Sequence, residues 1–170
     1  LLRTPDNVLA HCRAVAQVGE AVAAALHPHL PRLDVDLVRS ACLLHDMVRG
    51  QGARKHALMG ERILRNLGTH RLADVVGAHM VLPFEPADAS SISEEELVYL
   101  ADKMVVEDRL AGLAGREQRA LERCGGDPAA QRGIRERIRV GEVIAAKVEA
   151  VLGRPLQQVV VAAGLPAATD

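Results

Sequence analysis

The chain is almost without aromatic residues: its 170 positions hold one Phe, one Tyr and no Trp. Any core must therefore be aliphatic, and a surface that stacks single-stranded nucleic acid on rings is disfavoured. An excess of either charge is also missing. Lys and Arg number 21 against 22 Asp and Glu, a formal net charge of -1, so no basic field points to a nucleic-acid duplex as partner. No apolar run approaches the roughly 18 residues that a membrane span needs. The three cysteines, Cys12, Cys42 and Cys124, are an odd number without close pairs. They do not form a disulfide framework, and a reducing, cytoplasmic setting is the simpler expectation. No signal or transit peptide is visible. An initiator Met is lacking too; Leu1 comes first, which suits a piece of a longer chain carrying an additional domain. What is present is 49% apolar residues, enough for a real core, in a length whose default is a single domain over 1–170.

Apolar spacing of three and four residues runs through most of the chain and predicts an all-α fold. Thr4-Pro5-Asp6 suits a helix start. The helix that follows carries Val8, His11, Cys12, Val15, Val18, Val22 and Leu26 on one stripe, and Pro28 and Pro31 end it. Asp34 or Asp36 can cap a second helix through Val38, Ala41, Cys42 and Leu44 to His45-Asp46. Arg49 to Gly52 reads as a loop, with Arg54 and Lys55 after it. A third helix places His56, Met59, Gly60, Ile63 and Leu67 on one face, with Gly68 as its stop. A fourth carries Leu72, Val75, Val76 and His79, and Pro83 to Ala89 is a loop. Ser93 with Glu96 forms a capping box. The fifth helix it opens is expected to carry Val98, Tyr99, Asp102, Val105, Val106 and Arg109 on one face. A short helix from Arg116 to Arg123, a Gly125-Gly126 break and a long helix from Asp127-Pro128 to about Leu152 complete the pattern. Val159-Val160-Val161 is the one strand-like signal, in a segment that reads as helical or extended.

The chemistry gathers at Leu43-Leu44-His45-Asp46. A carboxylate at the end of an apolar run needs a partner, because burying a bare charge is very costly. Histidine or aspartate recurs in line with the apolar stripes of four other predicted helices, at His11, His56, His79 and Asp102. Asp102 is flanked by valines at i−4, i+3 and i+4. A metal ion is the partner that this set favours. Imidazole and carboxylate together suit Fe, Mn, Zn, Ni or Co better than Ca or Mg. Other histidines and thiols invite plainer readings: His27, His29 and His70 lie near predicted helix ends and should be on the surface, and Cys12 and Cys42 should be ordinary core residues. Glu94 to Glu96 reads as a solvated first turn, and Arg135, Arg137 and Arg139 as solvated, with Lys55 and Lys103 either weak phosphate-binding candidates or simply solvated.

The order His11, His45-Asp46, His56, His79, Asp102 resembles the HD-domain superfamily of metal-dependent phosphohydrolases, over roughly residues 5 to 110. The resemblance implies an HD-domain-like bundle of five core helices, with a helical C-terminal extension over 111–163. It implies that His11, His45, Asp46 and Asp102 hold one metal, and that His56 and His79 match the histidines of members holding two, with Asp46 bridging. It implies in-line attack on a phosphate ester or anhydride of a nucleotide or related small phosphorylated substrate, by a water that a metal makes acidic. Asp46, Arg49 and Arg109 are the expected catalytic and phosphate-binding residues. Many members carry lysine where this chain has Arg49; arginine stays protonated and suits a phosphate clamp rather than a general acid. Tyr99-Leu100-Ala101-Asp102-Lys103 with Arg109 is similar to bacterial HD hydrolases of dinucleoside polyphosphates. His45 to Gly50, with Gly153-Arg154-Pro155-Leu156, is similar to HD domains fused to nucleotidyltransferases. That second likeness supplies the alternative, a non-catalytic module that binds metal or nucleotide and regulates such a domain. The Gly-Tyr-Pro signature of cyclic di-GMP phosphodiesterases is absent.

Overall fold

A computed structural model describes residues 3–51, 55–83 and 91–167. It is helical, with α1 (Asp6–Leu26), α2 (Val35–Leu44), α3 (His56–Asn66), α4 (His70–Ala78), α5 (Glu94–Met104), α6 (Gly112–Arg123), α7 (Pro128–Leu152) and α8 (Leu156–Val161). A two-stranded hairpin, β1 (Val105–Val106) and β2 (Arg109–Leu110), separates α5 from α6. The expected all-α bundle is present, with three helices after its first five. Gly52, Arg54 and the Pro83–Ala89 loop from Phe84 onward lie outside the described residues.

Helix boundaries follow local chemistry in most places. Asp34 caps α2 by accepting from the Leu37 N–H at 2.9 Å. Ser93 and Glu96 form the reciprocal capping box of α5. Asp127 accepts from Ala129 at the start of α7, and Gly153 ends that helix with φ of 63°. At α1 the expected side-chain cap does not form: Thr4 instead donates to the Met47 carbonyl at 2.8 Å, tying the N-terminus to the segment after α2.

α1 is the central strut. It packs on α2 and on α5, while α3 packs on α4 and α4 packs on α2 and α5. The core is aliphatic, with Val15, Val18, Leu26, Val38, Val76, Val98 and Leu100 all essentially inaccessible. Gly19 sets the approach of α1 to α2. A Cβ there would lie 2.6 Å from Cys42 Sγ and 3.3 Å from Val38 Cγ1, so only a residue without a side chain fits. On α3 the buried residues are Gly60 and Leu64, whereas Met59 and Leu67, expected to face inward, are exposed.

Two expectations change beyond residue 100. α5 stops at Met104 rather than running through Arg109, because consecutive β-branched Val105 and Val106 pair with Arg109 and Leu110 in the hairpin. Glu107, with φ of 57°, makes the turn. Conversely, Val159 to Val161 is helical. Leu156, Val159 and Val160 bury one face of α8 against α1, so tertiary packing overrides strand propensity.

Candidate metal centre

Six side chains from five segments converge between α1, α2, α3, α4 and α5. His11 comes from the second turn of α1 and Asp102 from the last turns of α5. His56 opens α3. His45 and His79 are the C-cap residues of α2 and α4, so these two do not sit on helical stripes but one residue past them. All but His56 are buried.

The C-cap position is what aims the two rings. The last carbonyls of a helix have no intrahelical partner. His45 Nδ1 donates to the Cys42 carbonyl at 2.8 Å and His79 Nδ1 donates to the Val76 carbonyl at 2.7 Å. His11 Nδ1 likewise donates to the Glu107 carbonyl in the hairpin turn at 2.7 Å. A carbonyl can only accept, so each Nδ1 carries the hydrogen. In a neutral ring Nε2 is then a bare lone pair, and all three point into the cluster.

The Nε2 atoms face oxygens that are themselves electron-rich. His11 Nε2 lies 3.1 Å from Asp102 Oδ1, and His45 Nε2 lies 3.6 Å from the same oxygen and 3.5 Å from Asp46 Oδ2. The other oxygen of the same carboxylate, Asp46 Oδ1, is 3.1 Å from His56 Nε2 and 3.7 Å from His79 Nε2. Lone pairs at such distances repel unless a proton or a cation lies among them. His45 Nε2 and Asp46 Oδ1 are buried without a hydrogen-bond partner; His56 is close to Asp46 but poorly aligned to donate. Unsatisfied buried polar atoms are rare, and a cation satisfies both. The donor set therefore fits metal. His11, His45 and Asp46 form one group of ligand atoms lying within 4.8 Å of one another, and Asp46, His56 and His79 form a second. Asp102 Oδ1 stands beside the first group, near His11 and His45.

Titration behaviour reflects the same crowding. Burial opposes the charged form of His45, yet the nearby Asp102 and Asp46 carboxylates and Cys12 hold it up at about 10, so a proton serves among these atoms unless a metal ion takes its place. Burial and the positive field of His45 push His79 down to about 3. For Asp46, burial works against ionisation, and His56, His45 and Arg49 outweigh it, so the carboxyl stays well below its ordinary value. Asp102 is also held low, by Lys103, His11 and His45 against its burial.

Cationic side chains surround the ligands. Arg49 donates to Asp46 Oδ2 at 2.5 Å. Lys103 is not solvated as expected: it is buried, its Nζ 2.5 Å from Asp102 Oδ2 and 3.3 Å from the His79 carbonyl oxygen. Arg109, expected two turns after Asp102 on the same face, is exposed on β2 and lines a depression that contains none of the six ligands. The early end of α5 removes it. Arg116 takes the place beside Asp102 instead, with Nη1 donating to the Val105 carbonyl at 2.9 Å and Nη2 3.9 Å from Asp102 Oδ1. Arg116, Arg119 and Arg123 recur at helical spacing, a signal present in the sequence. The centre opens on a cavity of about 360 Å³. A second, of about 400 Å³, reaches it past His11 and shares Asp46, Arg49, Arg116 and Arg123 with the first.

Comparison with known proteins agrees with this geometry. The HD-domain family model matches residues 8–106, from the start of α1 to β1, and spans all six candidate ligands. The chain therefore belongs to the HD-domain superfamily of metal-dependent phosphohydrolases. An uncharacterized protein of Methanocaldococcus jannaschii, MJ0778, is 33% identical over 113 residues, covering 59% of this chain and 67% of that protein. No solved structure gives a significant match. No helix among the described residues is long and apolar enough to cross a membrane.

Proposed function

We propose that the chain is a metal-dependent phosphohydrolase that cleaves a phosphate ester or anhydride in a small molecule, a nucleotide or a close relative. The observation that carries this reading is the position of Asp46, whose two oxygens face two different sets of histidine nitrogens. That is the arrangement of a bridging carboxylate between two metal sites. His11, His45, Asp46 and Asp102 would hold one ion and Asp46, His56 and His79 the other.

When bound, such ions supply a water acidified to a pKa near 7 and a clamp for phosphoryl oxygens. The chain's own residues do the rest. The Nδ1 donations of His11, His45 and His79 fix each ring before any ligand arrives, so no reorientation is needed. Arg49 spends one of its five N–H donors on Asp46, keeping that carboxylate ionised, and presents others to a phosphate. Arg116 stands near Asp102. Lys103 neutralises the outer oxygen of Asp102 and leaves Oδ1 for the metal.

The test is reconstitution with Mn²⁺ or Fe²⁺, followed by a panel of nucleotides and a generic phosphodiester. Turnover that is lost in Asp46→Ala supports the hydrolase. Nucleotide binding without turnover at any metal loading would replace it with a regulatory HD module.

A further inference from the structure

The larger part of the cationic wall around the centre comes from outside the region that defines the family. α6 contributes Arg116, Arg119 and Arg123 on one face, at i, i+3 and i+7, and α7 contributes Arg137. With Arg49 these make five guanidinium groups lining the 360 Å³ cavity, against two carboxylates, Asp46 and Asp102, that already serve the metal centre. Among the described residues, Arg119 and Arg123 pair with exposed acids that do not line this cavity, Glu122 at 3.6 Å and Glu107 at 3.1 Å. Exposed pairs of this kind contribute little and exchange easily. Arg137 is half-buried, and no carboxylate among the described residues lies within ion-pair distance of its guanidinium.

The wall is held rigidly against the centre. Tyr99 donates its hydroxyl to the Arg137 carbonyl at 3.0 Å, pinning α7 to α5 one turn from Asp102. Further along α7, Lys147 is buried against Glu96 of α5 at 2.5 Å. Those contacts keep Arg137 at the cavity rather than leaving it as a solvated residue of a loose helix.

Arg49 and Arg116, which lie beside Asp46 and Asp102, would serve a single phosphate held at the centre. Such a ligand leaves Arg119, Arg123 and Arg137 without a function. Among the described residues no exposed Phe, Tyr or Trp is available to stack a base, since Tyr99 is 2% exposed. We infer that Arg119, Arg123 and Arg137 form a second anion subsite, and that the substrate carries at least one phosphate group besides the one attacked. This rests on the phosphohydrolase reading for the attacked group but not for the subsite itself. The ligand class is a compact polyphosphate or bisphosphate, in which the leaving group is itself anionic and bidentate guanidinium contacts recognise it.

The experiment is calorimetric titration of the full chain, stripped of metal by chelator, with inorganic tripolyphosphate and with orthophosphate. Tripolyphosphate is expected to bind at least about tenfold more tightly. Arg137→Gln and Arg119→Gln should each weaken it by about tenfold, the size of one lost charge-assisted hydrogen bond. Arg135→Gln, an exposed change on the same helix, should leave affinity unaltered. Equal affinity for the two anions overturns the subsite, and so does an equal loss in Arg135→Gln, which would reduce the effect to diffuse charge. The same samples reloaded with Mn²⁺ separate the two readings. Tight tripolyphosphate binding without hydrolysis of any phosphate compound keeps the subsite and refutes the hydrolase. Hydrolysis of simple monoesters with no preference for tripolyphosphate keeps the hydrolase and refutes the subsite.

Discussion

The Nε2 atoms of His56 and His79 lie 3.1 Å apart, and both are within 3.7 Å of Asp46 Oδ1. Since His79 Nδ1 donates to Val76, its Nε2 is an acceptor, and the pair is either one hydrogen bond or two ligands of one ion. The two cases predict different stoichiometries. If both are ligands, His56→Ala loses one metal and keeps the other, while Asp46→Ala loses both and retains its helical circular dichroism. Elemental analysis of protein purified without chelator reads this directly. A His56→Ala variant with unchanged metal content would reduce the centre to one ion, and metal retained in Asp46→Ala would refute the bridging role.

The buried Glu96–Lys147 pair joins residues 51 positions apart. Removing one partner strands a charge in an apolar environment, which typically costs about 3–5 kcal/mol. Lys147→Met should therefore lower the urea midpoint strongly. Glu96→Gln combined with Lys147→Met should recover much of that loss, because no unpaired charge remains. A fully additive double variant would show that the two side chains do not interact.

Gly19 is expected to be as sensitive as a large core residue. Ala at this position must displace Cys42 Sγ, 2.6 Å from the added carbon, with Val38 also in the way. Overpacking of that kind costs about 1–3 kcal/mol. Thermal unfolding of Gly19→Ala should show it, and Cys42→Ala in the same chain should relieve part of it. A Gly19→Ala protein as stable as the parent would mean that α1 and α2 approach less closely.

The three thiols should differ in reactivity. Cys12 and Cys42 are buried, and burial, helped by the field of Asp102, pushes the Cys42 thiol above its ordinary value. The thiolate is the reactive form. At pH 8 a maleimide should therefore label Cys124, which is half-buried and lines the 360 Å³ cavity, and reach the other two only after unfolding. Mass spectrometry of the native adduct counts the labels; rapid modification of Cys42 in the folded protein would contradict its burial.

The candidate ligands were legible before the fold because each lies on or beside a helix whose apolar stripe is local information. The periodicity around His11 and Asp102 states which way these side chains face. The capping box at Ser93 and Glu96 and the Asp127-Pro128 start of α7 were legible for the same reason, since a cap involves residues three positions apart at most. The sequence also showed the order of the six ligands, which is what the family resemblance rests on.

Periodicity could not show where α5 ends. A helical stripe continues through Val105, Val106 and Arg109, and only pairing within the hairpin and the packing of α6 against it stop the helix at Met104. That one turn decides that Arg116, not Arg109, stands beside Asp102. Likewise Glu96, Lys103 and Arg137 read as solvated charges, because a charged residue on a helix is solvated unless another element covers it. α7 folding back on α5 covers Glu96, and Lys103 is enclosed against Asp102 and the His79 carbonyl. Local sequence therefore determined the helices and the inward-facing ligands, through hydrogen bonds and apolar spacing that span a few residues. Tertiary structure decided the cationic surroundings of the centre, because they depend on contacts between segments far apart in the chain, whose partners no local pattern names.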